Sequence, residues 1–179
     1  MPVNTLPGHE PWQKRAAAFV IRSRHHLWGK NSETAQAFLF RQGLNNDFIK
    51  HIFLGWNKFG QKRRRENWGI PGQGPLFLPP GVVIPVIEDK VVTSIFIHAF
   101  DPPGPAGPAM VQGSLKKSVV LGAGADKPLL VIPDLYHGLF AHQELGSRCA
   151  VLIHPDGNQQ PDPALLEWVK ARPDSTLII

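Results

Sequence analysis

The sequence predicts an α/β chain, α+β in overall organisation, on three observations. Apolar residues recur at helical spacing from residue 11 to about residue 55. Two runs rich in β-branched residues, at 82–87 and 91–100, flank a polar Glu88-Asp89-Lys90. Beyond residue 128, apolar runs alternate with helical segments in the order β-α-β-α-β, which predicts a parallel sheet with right-handed crossovers. These divide the chain into a helical and basic N-terminal subdomain (1–68), a β-rich basic subdomain with a small mixed sheet (69–127) and a C-terminal parallel sheet (128–179).

In order along the chain, residues 1–10 read as a loose lead-in. From Pro11, a residue suited to a first helical turn, Trp12, Ala16, Phe19, Val20, Leu27 and Trp28 form one apolar stripe. Lys14, Arg15, Arg22 and Arg24 fall largely between them and read as a solvated face. A second helix starts after Asn31-Ser32, carries Ala35, Phe38 and Leu39 on one side and stops at Gly43. A third starts near Asn46 with Phe48, Ile49, Ile52 and Phe53 and stops at Gly55. Gly and Pro dominate residues 69–81, which predicts a loop. The hairpin at 82–100 is expected to place Val91, Thr93, Ile95, Ile97 and Ala99 on one face, with Val92, Ser94, Phe96, His98 and Phe100 on the other. Residues 101–109, DPPGPAGPA, suit only an exposed loop or linker. Residues 112–121 predict a strand from which Lys116 and Lys117 project. The run LLVIPDLYHGLFAHQELG (129–146) is a buried strand, a turn at Pro133-Asp134 and a helix stopped by Gly146; strands near 149–153 and 176–179 follow, separated by a helix over 163–171.

The bulk composition narrows the functional classes. Hydrophobic residues make up 42% of the chain, enough for a core, and 18 prolines imply many turns and short elements. A single Cys excludes an internal disulfide and a Cys-based zinc ribbon within these residues, and fits a reducing compartment. No apolar run approaches the roughly 20 residues of a membrane span, and no apolar signal core opens the chain, so the expectation is a cytoplasmic protein. A net charge of +5 fits a polyanionic partner.

The densest chemical signal is WNKFGQKRRR at 56–65, where Lys58, Lys62, Arg63, Arg64 and Arg65 cluster with Trp56, Phe59 and Trp68 around them. Cations neutralise phosphates and aromatics stack on unpaired bases, so the pattern points to single-stranded nucleic acid. The bland alternative is a solvated turn with Trp56 and Trp68 in the core. Lys116 and Lys117 are candidates for the same patch. Asp134, at the end of a predicted strand, offers a carboxylate to a metal or a cap to the next helix. His137, His142, Cys149 and His154 are scattered and need no zinc, and Cys149 reads as a packed thiol. No Ser-His-Asp or phosphate-loop pattern stands out, and GAGAD at residue 122 lacks the helix and lysine of a P-loop.

Three stretches resemble the catalytic core of bacterial-type DNA primases of plasmid, phage and mobile-element kind. They are PWQKRAAAFV…LW with AFLFRQGLNNDFIKHIFLGWN, then ENWGIP…LFLPPGVVIPVIEDKVVTSIFIH, then LLVIPDLYHGLFAHQELG. The resemblance implies a basic subdomain followed by the first half of a Toprim domain, RNA primer synthesis during DNA replication, a single-stranded DNA template and a replicative helicase as partner. It also implies Mg²⁺ or Mn²⁺ held by carboxylates, wherever a Toprim site is intact. Here the position of the family's glutamate is Pro133, and His137 stands where an aspartate often does. The Asp-x-Asp would begin beyond Ile179, and the family's zinc ribbon is absent. The implied state is a truncated or degenerate primase, inactive alone, with no catalytic residue assigned. Rival readings are a Toprim scaffold that docks proteins and a metal-dependent primase or nuclease with substitute carboxylates. The apolar end at Leu177-Ile178-Ile179 is expected to promote self-association through the C-terminal strand.

Overall fold

A computed structural model describes residues 9–100, 107–122, 127–153 and 176–178. Residues 1–8 of the lead-in, most of the loop at 101–109, His154, the helix expected over 163–171 and Ile179 lie outside the described residues, and the last residue of the lead-in, Glu10, already belongs to a helix. The chain divides into two compact units, residues 1–39 with 45–115, and residues 40–44 with 116–179.

The first unit opens with α1 (Glu10–Leu27), whose buried face is Trp12, Ala16, Phe19, Val20, Ser23 and Leu27. Ser23 joins the stripe read from the sequence, and Trp28 leaves it, lying half-buried at the C-cap beyond the helix. Helix α2 (Glu33–Arg41) begins at Ser32, whose hydroxyl donates to the Gly29 carbonyl at 2.8 Å. Gln36 ties α2 to the end of α1 by donating to the Leu27 carbonyl at 2.8 Å. Helix α3 (Asn46–His51) is capped by Asn45, which accepts from the Phe48 amide at 2.9 Å. Strands β1 (Gly55–Asn57), β4 (Gly81–Glu88), β5 (Val91–Ala99) and β6 (Ala109–Met110) form an antiparallel sheet in the order β1-β4-β5-β6. The β4–β5 turn places Asp89 and Lys90 at φ 47° and 69°, the left-handed pair that a tight hairpin requires.

The core of this unit joins the helix to the strands. Trp12, Ala16, Phe19 and Val20 of α1 pack with Trp68, Ile70, Leu76, Leu78, Val83, Val92, Ile95, Ile97 and Val111. Trp68 closes it edge-on to Trp12 and Phe19, at 6.2 and 6.5 Å between ring centroids.

Three expectations are corrected here. First, Val92 shares the core with Ile95 and Ile97, although it was assigned to the opposite face. The register runs Val86↔Ser94 and then Ile87↔Val92, which leaves Thr93 out of the register with β4. This bulge flips the face of everything before it. The Thr93 carbonyl accepts instead from the Leu115 amide at 3.0 Å. Second, the region from 69 to 81 is not all loop. It contains β3 (Pro75–Leu78), which pairs antiparallel with β2 (Gln61–Arg64). Third, Lys116 and Lys117 do not project from a strand. The strand expected over 112–121 is limited to β7 (Val119–Leu121). Gly113, at φ 89°, breaks the extended run where a Cβ would stand 2.5 Å from the Trp12 ring. Around it the backbone bonds irregularly to β5, with Val111 donating to the Ile95 carbonyl at 2.8 Å.

In the second unit β8 (Leu129–Ile132), β9 (Ala150–Ile153) and β10 (Thr176–Ile178) run parallel, with β7 antiparallel beside β9, in the order β10-β8-β9-β7. Helix α4 (Leu135–Leu145) connects β8 to β9 and buries Leu135, Tyr136, Gly138 and Leu139. It sits so close to β9 that a Cβ on Gly138 would lie 2.4 Å from Ile153. Gln143 of α4 donates to the Gly43 carbonyl at 3.1 Å, which fastens residues 40–44 to this unit.

Candidate nucleic-acid interface

The basic cluster begins at the edge of the first unit's sheet and continues into the β2–β3 ribbon. Strand β2 alternates: Gln61 and Arg63 are half-buried, Lys62 and Arg64 exposed. Strand β3 alternates in register with it, Leu76 and Leu78 entering the core while Pro75 and Phe77 face out. Lys62 pairs with Phe77 and Arg64 with Pro75. One face of the ribbon therefore carries two cations and an exposed ring, and the other is anchored in the core. Phe77 is 55% exposed and Phe59, in the preceding turn, 65%. Exposed rings beside cations are the groups that stack on bases and neutralise phosphates.

Asn57 sets the ribbon's position. Its side chain is fully buried and donates to the Leu78 and Pro79 carbonyls at 3.1 and 2.7 Å. Its Oδ1 accepts from Gln61 Nε2 at 2.7 Å. The last residue of β1 thus holds both the start of β2 and the end of β3.

The five clustered cations are sorted by this geometry. Lys62 and Arg64 point outward and make no ion pair among the described residues. Lys58 lies between two rings, its Nζ 5.7 Å from the Trp56 centroid and 5.5 Å from that of Phe59. Arg63 turns back to donate to Gln61 Oε1. Arg65 donates to the Pro71 carbonyl at 3.4 Å, and its own carbonyl accepts from the Trp68 and Ile70 amides. Arg63 and Arg65 are thus partly committed to the fold. Trp68 is in the core, as the bland reading had it, whereas Trp56 is half-buried at the rim. Lys116 is exposed and Lys117 half-buried, and both belong to the second unit.

Sequence reasoning missed Phe77. The alternation of PLFL opposite that of QKRR was the available signal, obscured by the Gly and Pro around it.

Asp134 caps α4: its Oδ1 accepts from the His137 amide at 2.8 Å and lies 3.3 Å from His137 Nδ1. Burial, together with the Asp134 charge, pushes the Tyr136 hydroxyl well above its usual range, so it stays protonated. Among the described residues no group of three or more His, Cys, Asp or Glu side chains is arranged to hold a metal ion. Cys149 is a half-buried free thiol. Among the same residues no helix is long and apolar enough to cross a membrane.

No family model matches the sequence, and no curated protein matches it closely enough to count. Solved structures do match. The RNA polymerase domain of Mycobacterium tuberculosis primase DnaG, solved with double-stranded DNA, superposes with a TM-score of 0.68 at 13% identity, over 94% of this chain and 62% of its own. The E. coli primase catalytic core gives 0.65 at 12% identity, over 95% and 61%. A DnaG primase catalytic domain bound to single-stranded DNA gives 0.67 at 10% identity, over 94% and 62%. The chain has the fold of a bacterial DNA primase catalytic core. It spans about three fifths of the length of these primase cores. At such identities the likeness establishes the primase fold, and residue roles have to come from the chain itself.

Proposed function

We propose that this chain is a primase-type, nucleic-acid-binding protein that holds a single-stranded DNA template on the β2–β3 ribbon, in replication priming of a mobile element. The observation that carries the reading is the ribbon's outer face, where Lys62, Arg64 and Phe77 are exposed together while the inner face is locked into the core. Two of the structures that share the fold were solved with DNA, one double-stranded and one single-stranded.

The test is binding of labelled single-stranded DNA across a salt series. Each phosphate contact on a single strand contributes about 0.7 to the slope of log affinity against log salt. Lys62→Ala with Arg64→Ala should weaken binding and flatten that slope by about 1.4. Arg63→Ala should leave the slope unchanged, because its guanidinium is directed at Gln61. No binding by the wild type at low salt would sink the reading and favour a protein-docking scaffold.

The same proposal reads β8, α4 and β9 as the start of a Toprim-like sheet. In that family a glutamate at the end of the first strand holds the metal. Here the position is Pro133, which has no ligand atom, and the neighbouring Asp134 is committed to capping α4. These residues do not fit the metal, and we derive no catalytic step through it. The expected result of a primer-synthesis assay on this chain, with Mg²⁺, nucleoside triphosphates and a single-stranded template, is no product. Product that disappears in Asp134→Ala would show instead that substitute carboxylates work.

A further inference from the structure

The polar side chains on the inner face of the ribbon form one chain of hydrogen bonds, and that chain has a direction. Arg63 donates to Gln61 Oε1, and Gln61 Nε2 donates to Asn57 Oδ1 at 2.7 Å. Asn57 Nδ2 in turn donates to the Leu78 and Pro79 carbonyls at 3.1 and 2.7 Å. Those two carbonyls set the direction. A carbonyl oxygen accepts and never donates, so Asn57 has to turn its NH₂ group toward them and its oxygen toward Gln61. Gln61 then has to present its own NH₂ group to Asn57, which leaves its oxygen for Arg63. The backbone of β3 thus dictates, through two amides, what Arg63 meets.

Arg63 is an uncommon occupant of this face. It stands opposite Leu76, and Gln61 opposite Leu78, the two leucines that enter the core. A guanidinium stays charged and carries five N–H donors. Among the described residues no carboxylate is paired with Arg63. Its partner is the neutral oxygen of Gln61. Among the same residues β2 has β3 as its one strand neighbour, so its other edge is open. A half-buried arginine is long enough to pass around an open edge and bring its charged end to the outer face, where Lys62 and Arg64 lie. What holds it back is the hydrogen bond to Gln61.

We propose that Gln61 is a positioning residue that withholds Arg63 from the template and so limits how tightly the ribbon grips it. This rests on the reading that the ribbon's outer face binds single-stranded DNA. It adds that one cation of the cluster is kept off the phosphates by its neighbour. Affinity that comes from phosphate contacts rises with each phosphate neutralised, whatever the sequence. A strand held by Lys62 and Arg64 is therefore released more readily than one held by three cations, and residue 61 sets that difference without touching the DNA.

The experiment measures oligothymidylate binding across a salt series for Gln61→Leu, which fills most of the same space and offers Arg63 no acceptor. The freed Arg63 should add one phosphate contact. Binding should be tighter at low salt, and the slope of log affinity against log salt steeper by about 0.7. Adding Arg63→Ala to Gln61→Leu should return the slope to that of the wild type. A slope in Gln61→Leu equal to the wild type's, or flatter, overturns the proposal. A steeper slope that persists in the double variant overturns it too, because the added contact then belongs to another residue. The ribbon reading survives both results as long as Lys62→Ala with Arg64→Ala flattens the wild-type slope. A second measurement needs no change at residue 61. In the wild type, the guanidinium nitrogen resonances of Arg64 should shift as oligothymidylate is added, while those of Arg63 stay in place. A shift of Arg63 as large as that of Arg64 puts it on the strand and overturns the proposal, whether or not Gln61→Leu folds. If the wild type does not bind at low salt, both readings fall together.

Discussion

Asn57 shows how one polar side chain can position a site. A fully buried amide is tolerated only when its donors and acceptor are all engaged, and here they are, with the Leu78 and Pro79 carbonyls and with Gln61. Asn57→Ala removes both donors and leaves two carbonyls without these partners. The expected loss is about 2–4 kcal/mol, read as a lower urea midpoint with an unchanged slope. Asn57→Asp should be worse, although it is nearly isosteric, because it turns a buried carboxylate oxygen toward carbonyl oxygens. Equal stability of wild type and Asn57→Ala would mean that the ribbon is held by Leu76 and Leu78 alone. Asp134 is the contrasting case: a half-exposed carboxylate whose hydrogen bond to His137 serves helix α4.

At the scale of elements, what the sequence disclosed depends on whether one period runs through a segment without interruption. Helix α1 was legible because Trp12, Ala16, Phe19, Val20 and Leu27 keep step for its whole length and nothing shifts their phase. The β8–α4–β9 tract was legible because each apolar run ends at its own punctuation, Pro133-Asp134 and Gly146. Strand β5 was assigned correctly as a strand and wrongly in its faces. Period counting assumes one partner per residue, and the bulge at Thr93 inserts a residue that leaves no mark in composition. The ribbon was harder still. Its strands are four residues each, and β3 begins at Pro75 after a stretch in which Gly72 and Gly74 take positive φ. The basic cluster was therefore visible as a cluster, but its division into outward Lys62 and Arg64 and inward Arg63 required the pairing to β3. Phe77 was missed for the same reason, since its exposure follows from Leu76 and Leu78 turning inward.

For the molecule as a whole, charge and burial act together as pH falls. The chain carries +5 with its eight His neutral, so acid adds positive charge to an already positive molecule and raises its self-repulsion. Burial also lowers the pKa of two His in the first unit. His9 stacks on Trp12 at 5.0 Å, and His98 lies 4.7 Å from Phe38 and 6.4 Å from Phe100. A His with a folded-state pKa below its ordinary 6.5 binds fewer protons folded than unfolded. Stability should therefore be intact above pH 6.5 and be lost as pH falls from there through the folded value. Salt separates the two causes, because it screens repulsion between exposed charges and hardly affects the desolvation of a half-buried ring. Urea midpoints measured at pH 7.5 and 5.5 should differ even at high salt, with the lower value in acid. His98→Gln, neutral at both pH values, should shrink that difference. Binding should move the other way, since protonated His adds to the attraction for phosphate: single-stranded DNA should bind more tightly at pH 5.5, where the fold is weaker. An acid-induced loss of stability that vanishes in high salt and is the same in His98→Gln would assign the whole effect to surface charge.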